Sequence, residues 1–440
     1  MSKFIQDRRS LLKSGVATIA AAAATSADQL FNFAQAWAQT TQWKPEAGAK
    51  ISLLRWKRFV EAEDQAFMAM IAAFTKATGV AVEVTNESYE DVQPKASVVA
   101  NTGQGLDMVW GLYSLPHLLP TKCLDVTDVA TYLGGKYGGW APSADAYGKA
   151  GNKWIGIPVA ATGGLVNYRI SAMEKAGFKE FPKDTAGFLE LCKALNKNGT
   201  PAGMALGHAS GDANTWLHWA LWTHGGNLVD ENDKVVINSP ETAKALEYVK
   251  ALYDTFIPGT ASWNDSSNNK AFVAGQLYCT VNGISVYVTA SREAKAIAED
   301  MNHAYMPIGP VGKPTELHLP FTMLTFNFTK FPQACKALTA FMLEADQFNP
   351  WVTGAQGYLS HFLGAYDNNP IWTSDPKRTP YRDVAKRTLT PAGKGKLGEN
   401  AAAAIADFLV VDMFANYCTG REDVKGAIAF AERQAKRLYR

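Results

Sequence analysis

Two periods of apolar spacing alternate along the first part of the chain. Ile51, Leu53 and Leu54 read as a short buried strand, followed by the polar and aromatic group Arg55, Trp56, Lys57 and Arg58. Phe67, Met70, Ile71 and Phe74 then keep the i, i+3, i+4, i+7 spacing of one helix face. Gly79 is placed to end that helix in a left-handed turn. Val80, Val82 and Val84 alternate with period two, which predicts a half-buried strand. A second helix is predicted over 89–100, stopped near Gly103 and Gly105, and a further strand over 106–110. A β-α-β-α-β series predicts an α/β chain with a mostly parallel sheet flanked by helices.

The pattern continues in helix-rich form. Phe188, Leu191, Cys192 and Leu195 line one helix face, and residues 216–223 form an aromatic helical stretch ending at Gly225 and Gly226. Ser239 and Pro240 have the N-cap and first-turn chemistry of a helix start. A helix over 268–274 leads to an alternating strand over 277–281 and then Asn282 and Gly283. Helices are predicted over 332–345 and through most of 399–440, broken at Gly420. Residues 368–395, rich in Pro, Thr, Lys and Gly, predict a long surface connection.

Composition narrows the picture. A chain of 440 residues with 47% apolar residues is too long for one ordinary core and fits two lobes. The net charge is +2, and residues 39–440 carry 39 basic and 39 acidic side chains. Such balance implies no strong attraction to nucleic acid. The five cysteines are widely spaced and form no CxxC, so at least one thiol is unbridged.

The N-terminus has its own logic. Arg8 and Arg9 precede an apolar, alanine-rich stretch from Gly15 to about Ala27, and Ala36, Trp37 and Ala38 make a small-x-small exit. This is the layout of a secretion leader, and the paired arginines point to the twin-arginine route. The expectation is a leader over 1–38, cut near Ala38, and a finished protein free in the periplasm.

The order of later motifs is distinctive. A helix ends at Thr78 and Gly79 before an alternating strand, and a Gly-rich turn precedes Leu106, Asp107, Met108 and Val109. Trp154, Ile155, Gly156, Ile157 and Pro158 follow, then Gly164, Leu165, Val166, Asn167 and Tyr168. Later come the Ser239-Pro240-Glu241-Thr242 helix start, then Phe272 to Leu277, then Asn282 and Gly283. The series resembles the extracellular solute-binding proteins of carbohydrate-type ABC importers, the maltose-binding-protein-like group. The resemblance spans nearly the whole chain after the leader. It implies a type II two-lobe binding protein with a hinged cleft. One lobe would hold 48–160 and 322–365, the other 161–321 and 366–440. It also implies a monomer that serves a membrane permease and an ATPase, with no cofactor or metal of its own.

Sugars present apolar faces and rims of hydroxyls, so a sugar site needs aromatic platforms beside amides, carboxylates and hydroxyls. The chain has 12 Trp, 16 Tyr and 21 Phe. Trp56 follows the first strand, at the sheet end where open α/β sheets hold ligands. By resemblance, Asp107, Trp110 and Tyr113 fall in a contact loop. So do Asn214, Thr215, Trp216 and His218 at a helix start beside the cleft. Trp263 and Asn264 form a polar-aromatic loop. Asn282, Gly283 and Ser285 match a strand end where relatives touch ligand, and Gln356 and Tyr358 lie in a loop that could close over it.

Enzyme readings have little to stand on. The chain has no CxxCH, HExxH, GxSxG or strand-following GxGxxG motif. A glycosidase would need two facing carboxylates, for which Glu63, Asp107, Asp212 and Asp265 are unspecific candidates. The sequence is thus read as a non-enzymatic periplasmic binding protein for a sugar or sugar derivative. A polyamine or a glycerol-phosphate-like solute is the alternative, the latter kept open by Arg55, Lys57 and Arg58.

Overall fold

The computed structural model describes residues 27–440. The paired arginines and the apolar run up to Ser26 lie outside the described residues. The first described element is a helix, α1 (Ala27–Thr40). Strand β1 (Lys50–Trp56), helix α2 (Glu61–Thr78), strand β2 (Ala81–Glu87), helix α3 (Tyr89–Thr102) and strand β3 (Met108–Leu112) follow in the expected order. Gly79 ends α2 at φ 77°, a conformation costly for any residue with a Cβ, and its N–H closes on the Thr75 carbonyl.

Strand β4 (Ile157–Thr162) completes a five-stranded sheet together with a strand from far along the chain. Strand β5 (Leu165–Arg169), helix α4 (Asp212–Thr223), strand β6 (Cys279–Asn282), helix α5 (Ser285–Glu293) and strand β7 (Met301–Ala304) belong to the second unit. Strand β8 (Leu319–Thr325) then returns to the first sheet, whose order is β2-β1-β3-β8-β4. β1 runs parallel to β2 and β3, while β8 runs antiparallel to β3 and β4. In the second sheet, β5 pairs antiparallel with β6 and β7, and isolated parallel bridges join Ala202 to Cys279 and to Phe256. The result is two α/β lobes with mixed sheets.

The chain passes between sheets at Gly163 and Gly164 and again between β7 and β8. Gly164 is needed for close approach: a Cβ there would lie 2.3 Å from the Thr215 methyl. The stretch over 368–395 is not the surface connection that its composition predicts. Ile371, Trp372, Tyr381, Val384 and Ala385 are buried along it. Tyr366 bonds back to the Leu343 carbonyl, and the Lys377 carbonyl meets His303. Its polar residues face out while a few large apolar ones plug the seam.

Helices α6 (Pro332–Met342) and α7 (Ala345–Gly354) pack on the first sheet. The tail forms α8 (Glu399–Ala406), α9 (Leu409–Cys418) and α10 (Val424–Leu438). It breaks at Gly420 as expected, and also at Phe408, which holds φ 55°. Residues Glu399–Cys418 have the length and apolar composition of a membrane span, but the break at Phe408 divides them into the two short helices α8 and α9. All five cysteines are unbridged; burial pushes the thiols of Cys123, Cys335 and Cys418 up, and a hydrogen bond with Cys279, then burial, raises Cys192.

Candidate ligand cleft

The space between the lobes begins as a small cavity beside the first crossing. Phe59, Tyr89 and Tyr358 line it from one lobe; Gly211, Asp212, Thr215, Asp265, Asn282, Gly283 and Ser285 line it from the other. Thr162, Gly163, Gly164 and Leu319 form its floor at the crossings. Its free volume is about 30 Å³, room for one or two waters. Behind Tyr89 and Tyr113 lies a space of about 120 Å³ reaching Ile405 and Phe408. Toward solvent, a space of about 370 Å³ is bounded by Phe59, Arg292 and Gln356. Arg292 reaches Glu61 at 3.4 Å across the mouth.

One wall is a polar network built on three short elements. Asn282, at the end of β6, donates to Asp212 Oδ2 at 3.2 Å and to Asn268 Oδ1 at 2.8 Å. Asn268 donates to the same Asp212 oxygen at 2.8 Å, and Asn269 donates to Ser285 Oγ at 3.0 Å. Asp265 Oδ1 accepts from the backbone N–H groups of Gly211 and Asp212 at 3.0 and 2.8 Å. It thus caps α4 from outside, where the helix start favours a negative charge. Asp265 Oδ2 and Thr162 Oγ1 are buried and have no hydrogen-bond partner among the described residues. Polar atoms left so are costly unless a ligand or water meets them.

Burial drives the acids upward. The Asp212 carboxyl is raised well above the usual range, by burial first and then by Asp265. Asp265 is pushed up to about 6 by burial, with backbone donors pulling the other way. No Lys, Arg or His lines this cavity.

The candidate residues separate into three groups. Thr215, Asn282, Gly283, Ser285 and Tyr358 line the inner cavity. Tyr113 and Asn214 line the space behind it, where the Tyr113 hydroxyl bonds the Gly211 carbonyl at 3.0 Å; Gln356 faces the mouth. The others do not line the inner cavity. Trp56 and Trp110 are fully buried in the first lobe, their rings 5.5 Å apart. Asp107 accepts from the Ser52 N–H and the Thr329 hydroxyl, tying strand to loop. Trp216 is fully buried and donates to the Ala205 carbonyl at 2.6 Å. His218 bonds the Asn214 carbonyl, and burial lowers it to about 4. Trp263 packs beside Phe272 and Leu277, and Asn264 caps the turn at Ser266 and Ser267.

Asp265 directly follows Asn264 and Asp212 lies two residues before Asn214, and the sequence offered both carboxylates only as unspecific catalytic candidates. Phe59 and Tyr89 carried no signal, since each follows an ordinary turn into a helix.

With this geometry stated, comparison with known proteins is informative. The profile of the bacterial extracellular solute-binding protein family matches residues 69–380. The chain belongs to that family. A curated relative is the "Probable ABC transporter-binding protein" of Deinococcus radiodurans, 22% identical over 251 residues, covering 55% of this chain and 58% of that one. The chain spans about half the length of the curated relatives it matches. Among solved structures, the GacH receptor of Streptomyces glaucescens, described unliganded and with acarbose, has TM-score 0.74 at 19% identity, covering 90% of this chain and 99% of that one. Maltose-bound MalE3 of T. maritima has TM-score 0.77 at 18% identity, covering 89% and 100%. A solute-binding protein of Agrobacterium radiobacter in complex with ribitol has TM-score 0.72 at 16% identity, covering 90% and 100%. The shared fold is the two-lobe type II binding protein.

Proposed function

We propose that this protein captures a neutral sugar or polyol between its lobes and delivers it to an ABC permease and its ATPase. The lobes are 48–160 with 322–365, and 161–321 with 366–440. The protein acts in the periplasm as a monomer, after export by the twin-arginine translocase, and catalyses no reaction. The observation that carries this reading is the cleft wall: Asp212, Asp265 and the Asn282 amide line a cavity that no cation lines among the described residues, with Asn268 and Asn269 bonded behind them. Hydroxyl groups donate to carboxylates and accept from amides, so a polyol satisfies both. Tyr89, Tyr358 and Phe59 supply the apolar face opposite. The relatives described with acarbose, maltose and ribitol support the same class of solute.

An anionic solute fits less well. Arg55 and Arg58 are turned inward onto Glu63, at 2.8 and 2.9 Å, and neither lines the inner cavity. The test is a thermal-shift screen of the exported protein against sugars, polyols, polyamines and sugar phosphates. A ligand at a hundred times its dissociation constant adds about 2.7 kcal/mol of stability. A clear rise with at least one neutral sugar or polyol is expected. A rise with polyamines or phosphates alone would sink the proposal.

A further inference from the structure

We propose that the space behind Tyr89 and Tyr113 is a second sugar subsite, so that the solute is a neutral sugar of at least two units rather than a single ring or a simple polyol. This rests on the reading that a neutral sugar or polyol binds between the lobes, and it adds the length of that solute.

The space has a free volume of about 120 Å³, against about 30 Å³ in the inner cavity. Its two sides come from the two lobes: Tyr89, Pro94 and Tyr113 from the first, and Asn214, Ile405 and Phe408 from α4 and the tail packed on it. The lining suits a sugar. Pro94, Leu112, Ile405 and Phe408 give apolar surface, and Gln93, Ser210 and Asn214 give polar groups beside it. Glu90 is the one charged residue among those lining the space, and it is exposed. Asn214 is only 2% exposed. Its amide N–H donates to the Ser210 carbonyl at 3.1 Å, while its Oδ1 is buried with no hydrogen-bond partner among the described residues. An acceptor left so is costly, and a solute hydroxyl satisfies it.

Two residues of this lining hold backbone conformations that a Cβ disfavours. Tyr113 has φ 47° and Phe408 has φ 55°. Among the described residues four that are not glycine have positive φ, and three of them border the cleft: these two and Gln356 at the mouth. Such strain persists only where the surroundings impose it, and it collects at ligand clamps. The Phe408 ring stacks on His208 at 4.4 Å with 5° between the planes, and His208 is fixed by Asp412 at 2.7 Å. One face of the half-buried Phe408 ring is thus taken, and its remaining surface borders the space.

Tyr89 lines both spaces, so a solute lying along it reaches from one to the other. The Tyr113 hydroxyl stands between them, 3.0 Å from the Gly211 carbonyl and 3.4 Å from the Thr215 hydroxyl. A two-unit solute displaces that contact, and its own hydroxyls bond the freed carbonyl and phenol.

The experiment measures calorimetric dissociation constants of the exported protein for glucose, galactose, mannose and mannitol, and for maltose, cellobiose, lactose and maltitol. The best two-unit probe should bind about tenfold tighter than the best one-unit probe, the scale of one added aromatic contact and hydrogen bond. Phe408→Gly tolerates the positive φ and removes the ring; Ala406→Trp fills the space from the end of α8. Each should bring that ratio down to about threefold or less. A ratio already below about threefold in the unaltered protein, or one that both variants leave unchanged, would overturn the second subsite and leave the sugar-or-polyol reading standing. Binding of none of these probes by the folded protein would overturn both.

Discussion

Two of the places where the molecule buries charge lie on opposite sides of its cleft, and they are treated differently. In the first lobe, Arg55 and Arg58 share Glu63 and lie over aromatic rings, Arg55 at 3.9 Å from Phe67 and Arg58 at 3.8 Å from Trp56. Trp351 adds a bond to the other Glu63 oxygen at 2.8 Å. Charge, counter-charge and rings are all supplied by the protein. Burial and the neighbouring Arg58 still pull Arg55 down to about 9. In the second lobe, Asp212 and Asp265 are buried beside amides and backbone donors with no cation between them, and one carboxylate oxygen is unmatched. The first set carries its own counter-charge and rings, although several guanidinium nitrogens of Arg55 and Arg58 lack a hydrogen-bond partner among the described residues. The second set holds acids without a counter-charge. Much of the aromatic wealth that marks this sequence surrounds the first set, and the amide and carboxylate wall is the proposed contact surface for solute.

The comparison breaks most visibly at Glu63. Glu63→Ala leaves two buried guanidinium groups unpaired and should cost about 3–5 kcal/mol of stability in urea unfolding. Affinity for the sugar or polyol in the surviving folded protein should hardly move. The opposite outcome is expected on the other wall. Asp265→Asn keeps an acceptor for the α4 N–H groups but loses the charge. Ligand affinity should fall about 10- to 100-fold by calorimetry, the scale of a bond to a charged acceptor. The unliganded protein should become more stable at pH 7.5.

That last sign follows from linkage. The folded Asp265 pKa, about 6, lies above an unfolded aspartate near 3.9. The folded state therefore holds more protons between those values. The Asp265 contribution to unliganded stability falls as pH rises from about 4 to 6 and is flat above. Hydroxyl donors favour the ionised carboxylate, so affinity should climb, by up to about tenfold, as pH rises through 6. A flat affinity from pH 5 to 8 would remove Asp265 from the contact set. The smallest effect is expected at the mouth: Gln356→Ala should change affinity less than about threefold, because its side chain borders only the wide outer space.

Much of the architecture was legible because periodicity reports local geometry. The 3.6-residue spacing of Phe67 to Phe74 and the two-residue spacing after Gly79 each name an element and its buried side. Ser239 capping Thr242 was likewise readable from residue chemistry alone. The site was legible only in part. Asn282, Gly283, Ser285, Thr215 and Tyr358 reach the inner cavity, whereas Trp56, Trp110 and Trp216 are core. A tryptophan wants burial equally from a ligand or from its own protein, and sequence spacing does not distinguish the two. The stretch over 368–395 misled for a related reason: a few large apolar side chains decided its path against a polar background.

By itself, the sequence determined the class of the chain. Alternating strand and helix periods require layered α/β lobes, length requires more than one core, and the paired arginines with the apolar run give the expectation of an export leader. Only the tertiary structure decided which buried charges are satisfied. Asp212 meets Asn268 and Asn282 across 56 and 70 residues, and Trp37 meets Glu344 across 307. Side chains so far apart in the chain become partners only after both sheets and the crossings between them have formed. Whether a buried carboxylate is a structural brace or an open acceptor depends on that partnership, which local pattern does not encode.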